Sequence, residues 1–219
     1  VPAKVVGGDF YDFARIDEHR LGLLIGDVSG KGVPAALTMA QLLAEFRLGA
    51  AGVRSPAELL AKLNEGLVRR SQRGMFCTVA VMAIDLRNGG LLGANAGHHP
   101  MLIASEERIV NVLEASGPPI GVLPGISWED ERGTIEAGES LIFYTDGIVE
   151  ARSGATRAPG TTPQGEFGLQ RVERVVREKY PTSPRRLIDS IVAEVQDYCS
   201  PMAPHDDCTM IALRYNGSG

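Results

Sequence analysis

The sequence predicts an α+β fold, with antiparallel sheets at the centre and helices packed outside them. Three observations carry this. Strand-like segments come in runs, helix-like segments come in pairs, and several strands are joined by turns too short for a parallel crossover, such as "RNGG" at 87–90.

The elements follow in order. Residues 5–13 and 21–27 read as strands, each ending on or near an aspartate. The segment 33–50 is rich in Ala and Leu, with Pro34 in its first turn, and reads as a helix. A second helix is expected at 57–70. It follows Ser55-Pro56-Ala57-Glu58, a capping box with proline at the first helical position. Strands are then expected at 75–85, 90–96, 101–104, 109–113 and 140–145. Residues 153–165 ("SGATRAPGTTPQG") lack periodicity and read as an exposed loop inside the domain. Helices at 167–179 and 184–199 form a second pair, with Ser183 as N-cap of the latter. There Leu187, Ile188, Ile191, Val192 and Val195 fall on one stripe suited to packing on a sheet. A strand at 209–215 closes the domain, and 216–219 is a tail.

Bulk properties bound the function. With 219 residues and 44% hydrophobic content the chain can bury one sizeable core, so a single domain over 1–215 is expected. A net charge of −5 supplies no excess of Lys and Arg to neutralise phosphates, which argues against nucleic acid as a partner. No apolar run reaches the ~18 residues of a membrane span. The opening "VPAKVVGG" lacks the apolar core of a signal peptide and reads as cut from something longer. Cys77, Cys199 and Cys208 are odd in number and have no CxxC spacing. Reduced thiols in a cytoplasmic protein are therefore expected, rather than a zinc or disulfide site.

The stretch "LLIGDVSGKGVPAAL" at 23–37 poses the first chemical question, because a glycine-rich turn between a strand and a helix can cradle phosphate. It fails as a P-loop: three residues separate Gly26 from Gly30, and Gly32 stands where Ser or Thr is required. It contains no G-x-G-x-x-G either. What remains is Asp27 at a strand end in a turn of small residues, either a capping residue or a ligand.

Three further stretches repeat that arrangement. Asp9 and Asp12 lie in "VVGGDFYD", Asp146 ends the strong β run of "LIFYTDG", and Asp206 and Asp207 precede the last strand in "HDDCTMIAL". Carboxylates gathered in one place raise one another's pKa, and a divalent cation is the usual compensation. Hard oxygen donors without a His or Cys cluster point to Mg²⁺ or Mn²⁺, and a two-metal carboxylate site suits phosphoryl chemistry.

In this order the stretches "VGGDFYD", "IGDVSGKGVPAAL", "NAGHHPMLI", "GPPIGVLPG", "IFYTDGIVEAR" and "HDDCTMIAL" resemble the SpoIIE-type branch of the PPM family of metal-dependent serine/threonine protein phosphatases. The resemblance runs from about residue 3 to 213. It implies an αββα sandwich of two antiparallel sheets flanked by helix pairs. It also implies that Asp27 bridges two Mn²⁺ or Mg²⁺ ions, that the Val28 carbonyl completes one shell, that Asp146 and Asp206 hold the metal from the other side, and that Asp9 supports the site. Asp27, Asp146 and Asp206 would be the catalytic set, with a water bridging the two ions attacking phosphorus. The implied substrate is a phosphorylated anti-sigma-factor antagonist, a STAS-domain protein, in a stress or developmental sigma-factor switch. An N-terminal sensor domain and a homodimer are implied partners.

The sequence departs from the wider family in two places. Ser29 stands where eukaryotic members carry a histidine able to act as general acid. Their phosphate-binding arginine is also missing, with only Lys4 nearby. Leaving-group protonation and phosphate docking are thus unassigned, with metal-bound water, Lys31 or a substrate residue as candidates. His98 and His99 in "NAGHHP" are read as turn residues rather than ligands, and His205 as a solvated residue or a partner of Asp206. Asp12 and Glu150 are read as supporting hydrogen-bond or ion-pair residues. Leu37, Leu42, Leu43, Phe46, Leu59, Leu60, Leu63 and Leu67 are expected in the core. A shift of their two helices would move Asp27 and Val28. Two other functions compete with the phosphatase: a non-catalytic signalling module of the same fold, and a small-molecule phosphohydrolase.

Overall fold

A computed structural model of the chain describes residues 7–70, 74–153, 165–202 and 206–217. Among these, five strands form one antiparallel sheet. They are β1 (Asp9–Arg15), β2 (Arg20–Val28), β3 (Cys77–Asp85), β4 (Gly90–Ala96) and β7 (Glu131–Thr134), in the spatial order β1-β2-β3-β4-β7. The second sheet has the order β6-β5-β8-β9, from β5 (Met101–Ala104), β6 (Ile109–Val112), β8 (Ser140–Tyr144) and β9 (Met210–Arg214). The helices are α1 (Val33–Ala50), α2 (Pro56–Arg70), the single turn α3 (Asp146–Val149), α4 (Leu169–Lys179) and α5 (Pro184–Cys199).

The apolar residues fall into three layers, and these define the sandwich. Leu23 and Ile25 of β2 pack with Met101, Ile103, Leu141 and Phe143 between the two sheets. Leu24 and Val28, on the opposite face of β2, pack with Leu42 and Phe46 of α1 and Leu60 and Leu63 of α2. Ile142 and Tyr144 turn away from the other sheet toward Val172 and Val176 of α4 and Leu187 and Ile191 of α5. Side chains alternate across each strand, so a strand buried on both faces must be apolar throughout, as the LLI of β2 is. The order of layers is helix pair, sheet, sheet, helix pair: the expected αββα architecture.

The caps form as the sequence implies. Ser55 Oγ accepts the Glu58 amide at 3.1 Å, and Ser183 Oγ accepts the Arg186 amide at 3.4 Å. Two short elements were not anticipated. Strand β7 is exposed at all four positions and polar, and takes its place only by pairing Gly90–Gly93 of β4. Turn α3 begins on Asp146 itself. One expected core residue is misplaced: Leu37 is 61% exposed, beside Val33 at 67%. Helix α1 carries apolar residues on its outward as well as its inward face, so periodicity did not single out the buried one.

Most of the expected loop 153–165, Lys4, His205 and the first residues of the expected first strand lie outside the described residues. Cys77, Cys199 and Cys208 form no disulfide among the described residues. No helix among the described residues is long and apolar enough to cross a membrane.

Candidate metal centre

Antiparallel pairing of β1 with β2 sets Asp9 directly across from Asp27. Paired residues project from the same face of a sheet, and on β2 that face is the one that carries Leu23 and Ile25 into the space between the sheets. The second sheet delivers Asp146 to the same place, immediately after β8. One carboxylate oxygen from each of Asp9, Asp27 and Asp146 lies within 4.8 Å of the others.

Thr145 ties the two sheets together at this point. Its hydroxyl donates to Asp9 Oδ2 at 2.6 Å and accepts the Thr209 amide at 3.1 Å, while the Thr145 amide donates to the Thr209 carbonyl at 3.1 Å. A residue of the second sheet therefore holds a carboxylate of the first. Thr145 was not singled out from the sequence, although it stands next to Asp146 in the "TDG" that was.

Asp206 and Asp207 differ in their surroundings. Asp207 is buried and its Oδ2 accepts the Gly8 amide at 2.9 Å. Asp206 is half-exposed; its Oδ1 accepts the Asp207 amide at 3.0 Å and pairs with Lys31 Nζ at 2.7 Å. Close approach explains two glycines here. A Cβ on Gly147 would collide with the Asp207 carbonyl oxygen. A Cβ on Gly8 would stand 2.5 Å from the Val28 carbonyl oxygen and 2.7 Å from Asp27 Oδ1, so these two oxygens share the space over the Gly8 backbone.

The electrostatics follow from this crowding. Burial pushes Asp9 up to about 7, against which the hydroxyls of Thr145 and Thr209 act. Burial first, and then the charges of Asp9, Asp146, Asp206 and Asp207, together push Asp27 up to about 8. Without a cation the site therefore holds protons near neutrality. An all-oxygen donor set on rigid strand ends, with mutual repulsion and a glycine-cleared space beside a backbone carbonyl, fits a hard divalent cation.

The other residues raised by the sequence serve the frame. Ser29 anchors the turn: its amide donates to the Phe76 carbonyl at 2.9 Å, and its Oγ accepts the Phe76 amide at 2.9 Å. Buried Asn95 organises the His98 turn, accepting the His98 amide at 2.8 Å and donating to the His98 carbonyl at 3.0 Å. His98 is itself buried, its Nδ1 3.0 Å from Thr78 Oγ1, and burial pushes it down to about 3, so it is a neutral ring outside the carboxylate cluster. His99 stacks on Tyr144 with ring centroids 5.8 Å apart. Asp12 points to the helix side of β1 and pairs with Arg47 at 2.5 Å, whereas Glu150 is exposed.

The family model of Stage II sporulation protein E (SpoIIE) matches residues 17–216. Among curated relatives, protein IcfG of Synechocystis sp. is 30% identical over 98% of this chain, and phosphoserine phosphatase RsbU of Bacillus subtilis is 28% identical over 98%. The chain spans 37% and 61% of the length of those two relatives. The solved SiaA-PP2C domain of Pseudomonas aeruginosa superimposes with a TM-score of 0.83 at 22% identity, covering 98% of this chain and 83% of that one.

Proposed function

This chain belongs to the SpoIIE family, and from that premise we propose that it is a metal-dependent phosphoserine/phosphothreonine protein phosphatase domain. The observation that carries this reading is the meeting of Asp9, Asp27 and Asp146 within 4.8 Å, contributed by the two sheets. Asp9, Asp27 and Asp146, with Asp206 and the Val28 carbonyl, would hold two Mn²⁺ or Mg²⁺ ions. When bound, those ions supply Lewis-acid polarisation of the phosphoryl group and an activated water for in-line attack.

The chain's own residues do the rest. Strand pairing fixes Asp27 against Asp9, so the two carboxylates keep their spacing without help from flexible side chains. Thr145 holds the Asp9 carboxylate in orientation and favours its ionised form. Ser29 locks the turn to Phe76 and thereby fixes where Val28 presents its carbonyl.

The substrate in this reading is a phosphorylated anti-sigma-factor antagonist of the STAS type. The relative named phosphoserine phosphatase RsbU supports the phosphoserine part of it. Three free cysteines agree with a cytoplasmic setting. The domain is taken to occupy 1–215, to carry an N-terminal sensor in the full protein, and to work as a homodimer whose sensor acts through α1 and α2.

The test is phosphate release from a phosphorylated STAS-domain protein, with and without Mn²⁺, alongside small phosphate esters. Release that needs Mn²⁺ and falls by about a hundredfold or more in Asp27→Asn and Asp146→Asn is expected. Full activity in either variant overturns the site. Activity confined to small esters moves the substrate class. Absence of both activity and Mn²⁺ binding makes the chain a signalling module.

A further inference from the structure

A phosphate monoester dianion approaching the site meets five aspartates as well as the ions they would hold, and a positive side chain at the mouth would help to receive it. Lys31 is placed for it. It occupies the turn between β2 and α1, four residues past Asp27, and is flanked by Gly30 at φ 92° and Gly32 at φ 84°. A Cβ at either glycine would meet no described atom within 4 Å beyond the neighbouring residues, so the turn is open on both sides of the lysine. Its Nζ is 2.7 Å from Asp206 Oδ1, and both side chains are about equally open to solvent, 40% and 38%. The ammonium therefore stands at the mouth of the site rather than in its floor, where Asp9 and Asp27 lie.

Among the described residues, Arg47, Arg108, His98 and His99 are held elsewhere. Arg47 pairs with Asp12 on the helix side of β1, which faces away from the cluster. Arg108 pairs with Glu139 through Nε and Nη2 at the far ends of β5 and β8. His98 is a buried ring held by Thr78, and His99 is stacked on Tyr144. Lysine suits the task, being a compact point charge on a flexible stem that can exchange one oxygen partner for another.

We propose that Lys31 anchors the phosphate of the substrate: its ammonium, kept at the mouth by Asp206, contacts a non-bridging oxygen of the phosphomonoester. This deepens the phosphatase reading and rests on it for the identity of the ligand. It fills the position left open by the absence of a phosphate-binding arginine before Asp9. Because Asp206 is a partner of the ammonium, Lys31 also holds that carboxylate, and a test must separate the two roles.

Inorganic phosphate is titrated calorimetrically into the Mg²⁺-loaded chain, in wild type, Lys31→Met and Lys31→Arg, and Mn²⁺ is titrated into the metal-free form of each. The expected result is phosphate binding weakened about tenfold or more in Lys31→Met, from the loss of a charge-assisted hydrogen bond, and largely regained in Lys31→Arg. Mn²⁺ affinity is the control, because Lys31 also holds Asp206, itself a ligand in this reading: phosphate affinity should fall by a clearly larger factor than Mn²⁺ affinity in Lys31→Met. Equal phosphate affinity in wild type and Lys31→Met overturns the proposal, as does phosphate loss that Mn²⁺ loss fully accounts for, or a wild type that binds no phosphate. Hydrolysis is measured separately. A wild type that binds phosphate through Lys31 yet hydrolyses no ester overturns the phosphatase reading and leaves this one standing.

Discussion

Asp27 and Asp9 are held in a place where their charges are unwelcome. At pH below about 3.8, the ordinary value for these groups, folded and unfolded chains both carry them protonated. As pH rises, the unfolded chain releases protons that the folded chain keeps until about 7 for Asp9 and about 8 for Asp27. The folded state therefore binds more protons across this window, and metal-free stability falls as pH rises through it. Asp12 and Asp85 are shifted downward and titrate in more acid solution. Buried His98, pushed down to about 3, opposes the decline up to about pH 6.5, one group against two, and so makes it shallower there without reversing it. Thermal unfolding in chelator should show the melting temperature declining from pH 5.5 to 8.5, and saturating Mn²⁺ should abolish the decline. A melting temperature that rises with pH in chelator contradicts the raised values. Thr145 tests the same charges from another side. Thr145→Val removes the 2.6 Å hydrogen bond that favours ionised Asp9, so a bound metal must displace a proton held more tightly. Mn²⁺ affinity at pH 7 should fall about 10–100-fold, the usual range for a lost ligand-orienting contact, with much of the loss recovered at pH 9. Equal affinity for wild type and variant at pH 7 would show that the hydroxyl does not tune the carboxylate.

At the scale of elements, α2 shows how locally encoded signals meet long-range ones. Its N-terminus is capped twice, by Ser55 Oγ on the Glu58 amide and by Asp130 Oδ1 on the Ala57 amide at 2.8 Å. Ser55→Ala should cost about 1 kcal/mol, and that corresponds to a fall of roughly 2–4 °C in melting temperature for a domain of this size. Asp130→Ala should lower it by a similar amount, whereas Glu129→Ala, at an exposed neighbour, should not. The serine cap was legible in the sequence, because a capping box lies within four residues. The aspartate cap was not, because it comes from 73 positions away. The same division runs through the fold. Helices α1 and α5 carry strong local composition and their ends were read correctly at 33–50 and 184–199. Strand β7 has the polar sequence ERGT and exists because β4 offers an edge, so no local pattern announced it. Asp146 was recognised by its place after a β run. That it opens a helical turn depends on Thr145, Thr209 and the tight approach of Asp207 to Gly147, none of which is local.

For the whole molecule, the consequence is that the site is also a joint between the two sheets. Asp9 and Asp27 come from one, Asp146 and Asp206 from the other, and Thr145 already links them through Asp9. A cation bound by all of them would tie the sheets together and stabilise only the folded chain. At a free concentration 100 times the dissociation constant this linkage is worth about 2.7 kcal/mol, or roughly 5–10 °C in melting temperature for a domain of this size. Removing one carboxylate should have opposite effects with and without metal. Asp9→Asn keeps an oxygen to accept from Thr145 while deleting a charge that repels Asp27. In chelator at pH 8 the variant should therefore melt higher than wild type, since its neighbours ionise with less opposition. In saturating Mn²⁺ wild type should gain several degrees and the variant little, so that the order of the two reverses. A control at Asp17, whose carboxylate pairs with Arg20 on an exposed turn away from the cluster, should show no metal-dependent reversal when changed to Asn. Equal Mn²⁺ gains in wild type and Asp9→Asn would mean that the cation does not use Asp9, and the ligand set would have to be sought among Asp27, Asp146 and Asp206 alone.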